Sequence, residues 1–396
     1  MVIDLSDYGK PNPLSPNELE DKLFHLSSIL RSKEADGIIF RQEGALRWLT
    51  GVRHQIINIA PDAVSPVQVL VVMKEDGWDF TFVTSRFEMP RIKEQLPPIY
   101  EDCPKIQINF SESFPPIPNN IISSIDSTYF TVVSEIIQPL VGGLKGNQYK
   151  KLQWLSCMTS AIMAETANTI EPGMNGSIVR GMLFNNFSHW DIESNLIMVS
   201  LSGQEKFFHP LYDSRYRIDP DSWVKLVAGT RYVDMIVSAS IMIKFNGCSE
   251  HAQRTYRCLQ EAVIEYADCY RVNALESDIY TSVGERFRAV GERFGLPEFF
   301  QSAYAHHLGG PTSPLGNRDY IITQTGSHKM FSWMQFALNP METKYYTKIE
   351  VQGIIMPFGP PLIIDSSTFT PPLALEYTKV VSSGGTNGNL ANIVLR

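Results

Sequence analysis

The sequence predicts an α/β protein of the α+β kind, and three observations carry that prediction. Short apolar runs with strand character alternate with helical periodicity over the first third of the chain. Two pairs of long helical patterns follow, each pair alike in layout. At 396 residues, with 43% hydrophobic and 19% charged side chains, the chain is long and apolar enough for two packed domains.

Leu19, Leu23, Leu26, Ile29 and Leu30 recur at helical spacing behind Ser15-Pro16, which predicts a first helix over Asn17 to Ser32. ADGIIF is a short buried strand and GALRWLTG a helical turn. VQVLVVM and DFTFVTS are further strands joined by the turn KEDGW, and SESFPPIPNN is a Pro-rich loop before the strand STYFTVVSEI. The Gly-rich VGGLKGN marks a boundary near Gly146, giving domains of 1–146 and 147–396. Beyond it, a long helix over Tyr149 to Thr169 is stopped by EPGMNG, and a second covers Ser177 to His189. IMVSLSG and WVKLVAGTRYVDMIVSASIMIK are strands, the latter a pair joined near Gly229. Another helix pair, Ser249 to Tyr270 and Asp278 to Phe294, flanks the turn VNALES. This duplication predicts pseudo-twofold symmetry with a site between the halves. KYYTKIEVQGIIM and ALEYTKVVSS close the chain as β-like pieces.

A formal net charge of -8 offers no basic stripe for a phosphate backbone, which disfavours nucleic acid. The acidic, proline-bearing start MVIDLSDYGKPNPLSP is unlike a signal peptide, and QVLVVM and MIVSASIMI are too short to span a bilayer. Cys103, Cys157, Cys248, Cys258 and Cys269 are odd in number without a C-x-x-C pair, as expected of reduced, core-filling thiols. A soluble, cytoplasmic protein with no membrane contact is the expectation.

WLTG at 48–51 resembles the YLTG element of creatinase and prolidase-type N-terminal domains. IEPGMN at 170–175, His209-Pro210, HHLGG at 306–310 with Arg318-Asp319 downstream, and FALNP at 336–340 follow in the order seen in the M24 pita-bread family. The resemblance implies a creatinase-like N-terminal domain, then a pita-bread domain whose helix pairs pack on a curved antiparallel sheet. It also implies a homodimer. The family's metallopeptidases hold two divalent ions with two Asp, one His and two Glu, since hard cations need several oxygen donors. By the resemblance those positions here are Val227, Ser238, His306, Asn339 and a residue around Tyr346. Only His306 matches, which predicts no metal and no other cofactor. A shifted site using Asp234, Asp319 or Glu350 is the alternative.

Creatinase, a family member that hydrolyses a C–N bond without metal, carries its catalytic histidine on the segment that holds His209 here. An imidazole both gives and takes a proton near neutral pH, so His209 is the first candidate for general acid or base, against a structural role in the turn before Pro210. His306 is the second candidate. His307, next to it in a strand, would point to the opposite face and make a supporting hydrogen bond, unless a turn frees both. Asp319 with Arg318 orients an imidazole, binds a polar substrate end or forms a solvated ion pair. Arg231 and Tyr232 are candidate carboxylate anchors. Ser238, Ser240, Asn339, Tyr346, Trp333 and Phe336 are expected wall residues of a neutral to aromatic pocket, suited to an uncharged or weakly acidic small molecule. Three functions are open: a metal-free enzyme performing C–N hydrolysis, elimination, dehydration or cyclisation; a non-catalytic binding module, as in the peptidase-like domain of a histone chaperone; and a metal-dependent Xaa-Pro peptidase with a shifted site.

Overall fold

The computed structural model describes residues 9–54, 64–116, 120–123, 131–132, 146–201, 204, 216–220, 223–245, 250–299, 310–312, 322–342, 347–364 and 393–395. His209, His306, His307, Asp319, Tyr346 and the segment ALEYTKVVSS lie outside the described residues.

The chain opens with α1 (Pro16–Ser32), where Ser15 accepts from the Glu18 N–H as N-cap and Pro16 starts the first turn. Its leucines at 19, 23, 26 and 30 enter a core shared with β1 (Gly37–Gln42), α2 (Glu43–Thr50), β2 (Val64–Met73) and β3 (Trp78–Val83). α3 (Met89–Gln95), α4 (Ile99–Asp102), β4 (Ile106–Ser111), β5 (Ile121–Ser123) and β6 (Thr131–Val132) complete this part. Its strands form a mixed six-stranded sheet of order β4-β3-β2-β1-β5-β6. The WLTG element is the end of α2. Gly51 caps that helix with φ 73, and a Cβ there would lie 2.8 Å from Cβ of Leu14, so the position needs glycine on both counts.

The rest is a helix pair on a sheet, twice. α5 (Asn147–Thr169) and α6 (Gly176–Ser188) cover one face of β7 (Glu193–Ser200), β8 (Trp223–Tyr232) and β9 (Met235–Lys244), with β14 (Ile393–Leu395) parallel to β9. α7 (Glu250–Ala267) and α8 (Glu276–Arg293) cover β11 (Gln335–Leu338) and β12 (Val351–Ile354), in a second four-stranded sheet with β10 (Gly310–Thr312) and β13 (Leu362–Ile364). The turns inside the two helix pairs are built alike. Gly173 N–H donates to the Ile218 carbonyl and Ile218 N–H to Met174; likewise Asn273 N–H donates to Met330 and Met330 N–H to Ala274. In the first turn Asn175 also caps α6 by accepting from the Ile178 N–H at 3.0 Å.

One expectation changes. β8 does not turn at Gly229, which pairs with Ser238 in mid-strand; the chain reverses at Val233-Asp234, with Val233 at φ 55. The reversal sits where Asp234 is held by Lys151 at 2.5 Å and Gln148 at 3.0 Å, so a buried ion pair, not a glycine, fixes the turn. Lys151 also bonds Glu18 at 3.0 Å, and Lys22 lies 2.6 Å from Glu18, which ties α1 to α5 and the β8–β9 turn. Cys103, Cys157, Cys258 and Cys269 are free thiols, as expected, and Cys248 lies outside the described residues. No helix among the described residues is long and apolar enough to cross a membrane.

Candidate functional site

Alternation along the strands sorts the side chains of the two central sheets onto two faces. Leu226, Ala228, Tyr232, Val237, Ile241 and Ile243 belong to the core under α5 and α6. Lys225, Val227, Gly229 and Arg231 of β8, with Ser238 and Ser240 of β9, therefore point the other way. The second sheet behaves alike. Phe336, Leu338, Ile349 and Val351 enter the core under α7 and α8. Gln335, Asn339, Met341, Lys348, Glu350 and Gln352 face away from it.

The two polar faces meet. Glu350 N–H donates to Ser240 Oγ at 2.8 Å, and Ser240 Oγ lies 3.4 Å from the Lys348 carbonyl. Gln352 Oε1 accepts from the Ser238 N–H at 3.4 Å, and the Gln335 amide donates to the Ile236 carbonyl. At the other end Lys225 Nζ lies 3.5 Å from Met341 Sδ. The result is a buried polar seam with Arg231 and Gln335 at one end and Lys225 at the other.

The middle of the seam is a buried ion pair. Leu338 pairs with Val351 and Met341 with Lys348 in one antiparallel register, which sets Asn339 across from Glu350. Lys348 Nζ donates to Asn339 Oδ1 and lies 3.2 Å from Glu350 Oε2, with both charged side chains under a tenth exposed.

The fold thus brings Ser238, Ser240, Asn339 and Arg231 onto one face and leaves three predicted residues off it. Tyr232 is on the opposite face by strand alternation. It packs on Trp154 with ring centroids 4.7 Å apart and donates to the Pro11 carbonyl at 2.8 Å, while burial pushes its hydroxyl up to about 12, with Asp191 and Asp234 adding to the shift. Trp333 is exposed, in the turn before β11 with φ 66, off the strand that leads to Asn339. Phe336 stacks on Tyr270 at 4.3 Å inside the helix-side core. The described wall is therefore polar and cationic rather than neutral to aromatic. No motif in the sequence points to Lys225, Lys348, Gln335 or Gln352, and Glu350 is expected there only as a ligand of a shifted site. The period-two alternation Lys348, Glu350, Gln352 around Ile349 and Val351 was the available signal.

These residues do not fit a pair of divalent ions. Two of the positions the resemblance assigns to ligands are hydroxyls, one is an apolar Val227, and Asn339 is bonded by an ammonium. Of the described carboxylates on this side, Glu350 too faces that ammonium, a fixed charge that repels a cation, and Glu193, across from Arg231, is held by Arg47 at 2.6 Å. Asp234 lies in the turn before β9, six residues from Ser240, and is spent on Lys151, so it does not join Glu350 in a shifted site. Among the described residues, no group of three His, Cys, Asp or Glu is placed to hold a metal ion.

Beside the seam, α2 reaches the second half of the chain. Arg47 Nε bonds Glu43 at 2.8 Å and its Nη1 bonds Glu193 of β7 at 2.6 Å. Arg231, the cross-strand neighbour of Glu193, is 3% exposed. Burial first, then the nearby Arg47 guanidinium, push its pKa down to about 9.

No family model and no curated protein sequence matches the chain. Solved structures do. The dipeptidase PepE from Mycobacterium ulcerans is similar with a TM-score of 0.68 at 13% identity, over 97% of this chain and 100% of that one. The prolidase from Pyrococcus horikoshii OT3 reaches 0.62 at 13% identity, over 87% of this chain and 97% of that one. The N-terminal domain of the FACT complex subunit SPT16 from Eremothecium gossypii reaches 0.59 at 12% identity, over 90% of this chain and 97% of that one. With a helix pair on a sheet repeated about a shared polar face, and agreement with these structures over nearly its whole length, the chain has the α/β pita-bread fold of the M24 peptidases.

Proposed function

We propose that the protein is a pita-bread enzyme that acts on a small organic molecule without a metal ion, using His209 and His306 as proton carriers. The observation that carries this reading is the Lys348 ammonium, buried and held between Asn339 and Glu350 where the family resemblance expects metal-binding carboxylates. A fixed ammonium supplies part of what a metal would: a positive charge, already oriented and shielded from water, for negative charge that develops on the substrate. It supplies no activated water. Proton transfer then falls to imidazole, whose ordinary pKa suits both removal and return of a proton at neutral pH. In C–N hydrolysis one histidine takes a proton from water as the leaving nitrogen gains one. In elimination, dehydration or cyclisation proton transfer alone suffices. Ser238, Ser240 and Asn339 line the site in this reading, with His307 and Asp319 supporting the imidazoles and Tyr346 adjoining the wall.

The chain divides in this proposal into a creatinase-like domain, 1–146, and a catalytic-type domain, 147–396. It works as a cytoplasmic homodimer on a small molecule and binds neither nucleic acid nor membrane. A second reading, a binding module without catalysis, is favoured by the similarity to the SPT16 N-terminal domain.

Elemental analysis of protein purified without chelator tests the metal-free reading. Substoichiometric zinc, manganese and iron are expected, and one or two ions per chain would overturn it. His209→Ala separates enzyme from binding module. Loss of turnover with an unchanged melting temperature supports catalysis, and full turnover removes His209 from the mechanism.

A further inference from the structure

Arg231 stands on the polar seam, two residues along β8 from Gly229 and about 7 Å from it at the strand's rise per residue. Its guanidinium is buried, yet Nε and Nη2 have no hydrogen-bond partner. Each carboxylate that bears on it holds another cation, although Glu193 Oε2, also buried, makes no hydrogen bond. Glu193, its neighbour across β7–β8, bonds Arg47 at 2.6 Å through Oε1, and its Oε2 lies 3.7 Å from Arg53. Glu43 binds Arg47 at 2.8 Å and also accepts from the His54 N–H and the Ser65 hydroxyl. Asp234 is bound by Lys151 and Gln148. Buried donors without partners cost stability, and a cation left with another cation close by costs more. Such a cost at a site-facing position is the mark of a group that waits for a ligand.

We infer that Arg231 anchors the substrate, its free Nε–Nη2 edge binding a carboxylate of the molecule that the seam acts upon. This rests on the seam being the active site, as proposed above, and adds the substrate class: a carboxylic acid. Nε and Nη2 are parallel donors spaced for two coplanar oxygens, the fork that carboxylates fit. One guanidinium edge matches a monoanion. A phosphate dianion would call for further donors, and the neighbouring Arg47 is already spent on Glu43 and Glu193. Val227, which faces Ser240 beside Lys348, is four residues from Arg231, about 13 Å of strand. The reacting bond therefore sits several bonds from the carboxylate, near the Lys348 ammonium. Guanidinium substrates are excluded from that end by charge.

Hexanoate serves as the probe, with hexanamide as the uncharged match and inorganic phosphate as the alternative anion, in full-length protein by thermal unfolding and titration calorimetry. Hexanoate raises the melting temperature in a saturable way, and hexanamide and phosphate do not. Arg231→Met abolishes the hexanoate shift. It also leaves the ligand-free melting temperature equal or higher, because it removes an unpartnered buried charge. Arg231→Lys, which keeps charge and loses the fork, weakens hexanoate at least about tenfold. An undiminished hexanoate shift in Arg231→Met, a stronger response to phosphate, or a fall of several degrees in the ligand-free variant would each overturn the assignment, the last by making Arg231 a structural cation. These are binding and stability readouts, so they stand whether or not the metal analysis and His209→Ala support metal-free catalysis.

Discussion

The Lys348 ammonium lies 3.2 Å from Oε2 of Glu350, two residues along the chain and on the same buried face just before β12, and it donates as well to Asn339. Removing one partner of such a pair leaves the other charge buried and unpaired. Lys348→Met is expected to cost about 3–5 kcal/mol in urea unfolding, and the double variant Lys348→Met/Glu350→Leu to regain most of it. Equal losses in the single and double variants would mean that packing, not charge pairing, holds the strand.

The same ammonium predicts how metal affinity responds to redesign. Val227→Asp, Ser238→Asp and Asn339→Glu together supply oxygen donors at positions the family resemblance assigns to ligands. With Lys348 kept, manganese uptake by calorimetry stays weak. Adding Lys348→Met strengthens it at least about tenfold, because a point charge that repels the ion is gone. Indifference of manganese affinity to Lys348 would contradict the ammonium-for-metal reading.

The helices, the start of the first and the duplicated layout were legible in the sequence because they depend on local spacing: leucines at 19, 23, 26 and 30, and Ser15 before Pro16. The site was legible only in part. Which side of a strand a residue takes follows from one register choice, and one slip moves every side chain to the other face. Arg231 and Tyr232 looked equivalent as neighbours in sequence, yet one faces the seam and the other Trp154. Lys348 carried no motif. Its meaning comes from Asn339, brought opposite by a hairpin register, and from Ser240, brought close across a hundred residues of chain.

Glu18 predicts acid sensitivity of the contact between α1 and α5. Burial opposes its ionisation, but the Lys22 and Lys151 ammonium groups outweigh that and hold its pKa at about 2, down from 4.5. A depressed carboxyl pKa gives stability that is present above the unfolded value and is lost as pH falls from about 4.5 towards 2. By linkage the full effect is on the order of 3 kcal/mol. Glu18→Gln should flatten this part of the urea-measured stability profile, at a cost at pH 7 from the cations left unpaired. An unchanged slope below pH 4.5 would assign the acid limb to other groups.

His54 sets an earlier limb. Burial first, then Arg47 and Arg91, push its pKa down to about 3 from 6.5, and its Nε2 shares a 2.7 Å hydrogen bond with the Thr50 hydroxyl. The folded state keeps the ring neutral while the unfolded chain takes up a proton, so the stability present above pH 6.5 is lost as pH falls towards 3. At pH 5 the loss is on the order of 2 kcal/mol. His54→Gln retains a partner for Thr50 and cannot titrate. Its stability should stay level between pH 6.5 and 5, where the parent protein declines.

Gly353 tests how tightly the back of the site is packed. It sits across from Phe336 in the β11–β12 pair, and a methyl group there would lie 2.8 Å from both Cε atoms of that ring. Phe336 has no room to yield. It is fully buried and stacked on Tyr270 with an interplanar angle of 7°, and Tyr270 is itself buried under α7. Relief would have to come from the backbone of β12, which carries Gln352 to Ser238 and, two residues further back, Glu350 to Ser240. Gly353→Ala is therefore expected to cost about 1–3 kcal/mol by urea unfolding. It should also lower hexanoate affinity without touching the seam's polar groups, because a shift in β12 is passed on through the contacts at Ser238 and Ser240. Lost stability with unchanged affinity would mean that β12 yields away from the seam, and that the helix-side core and the polar face are mechanically separate.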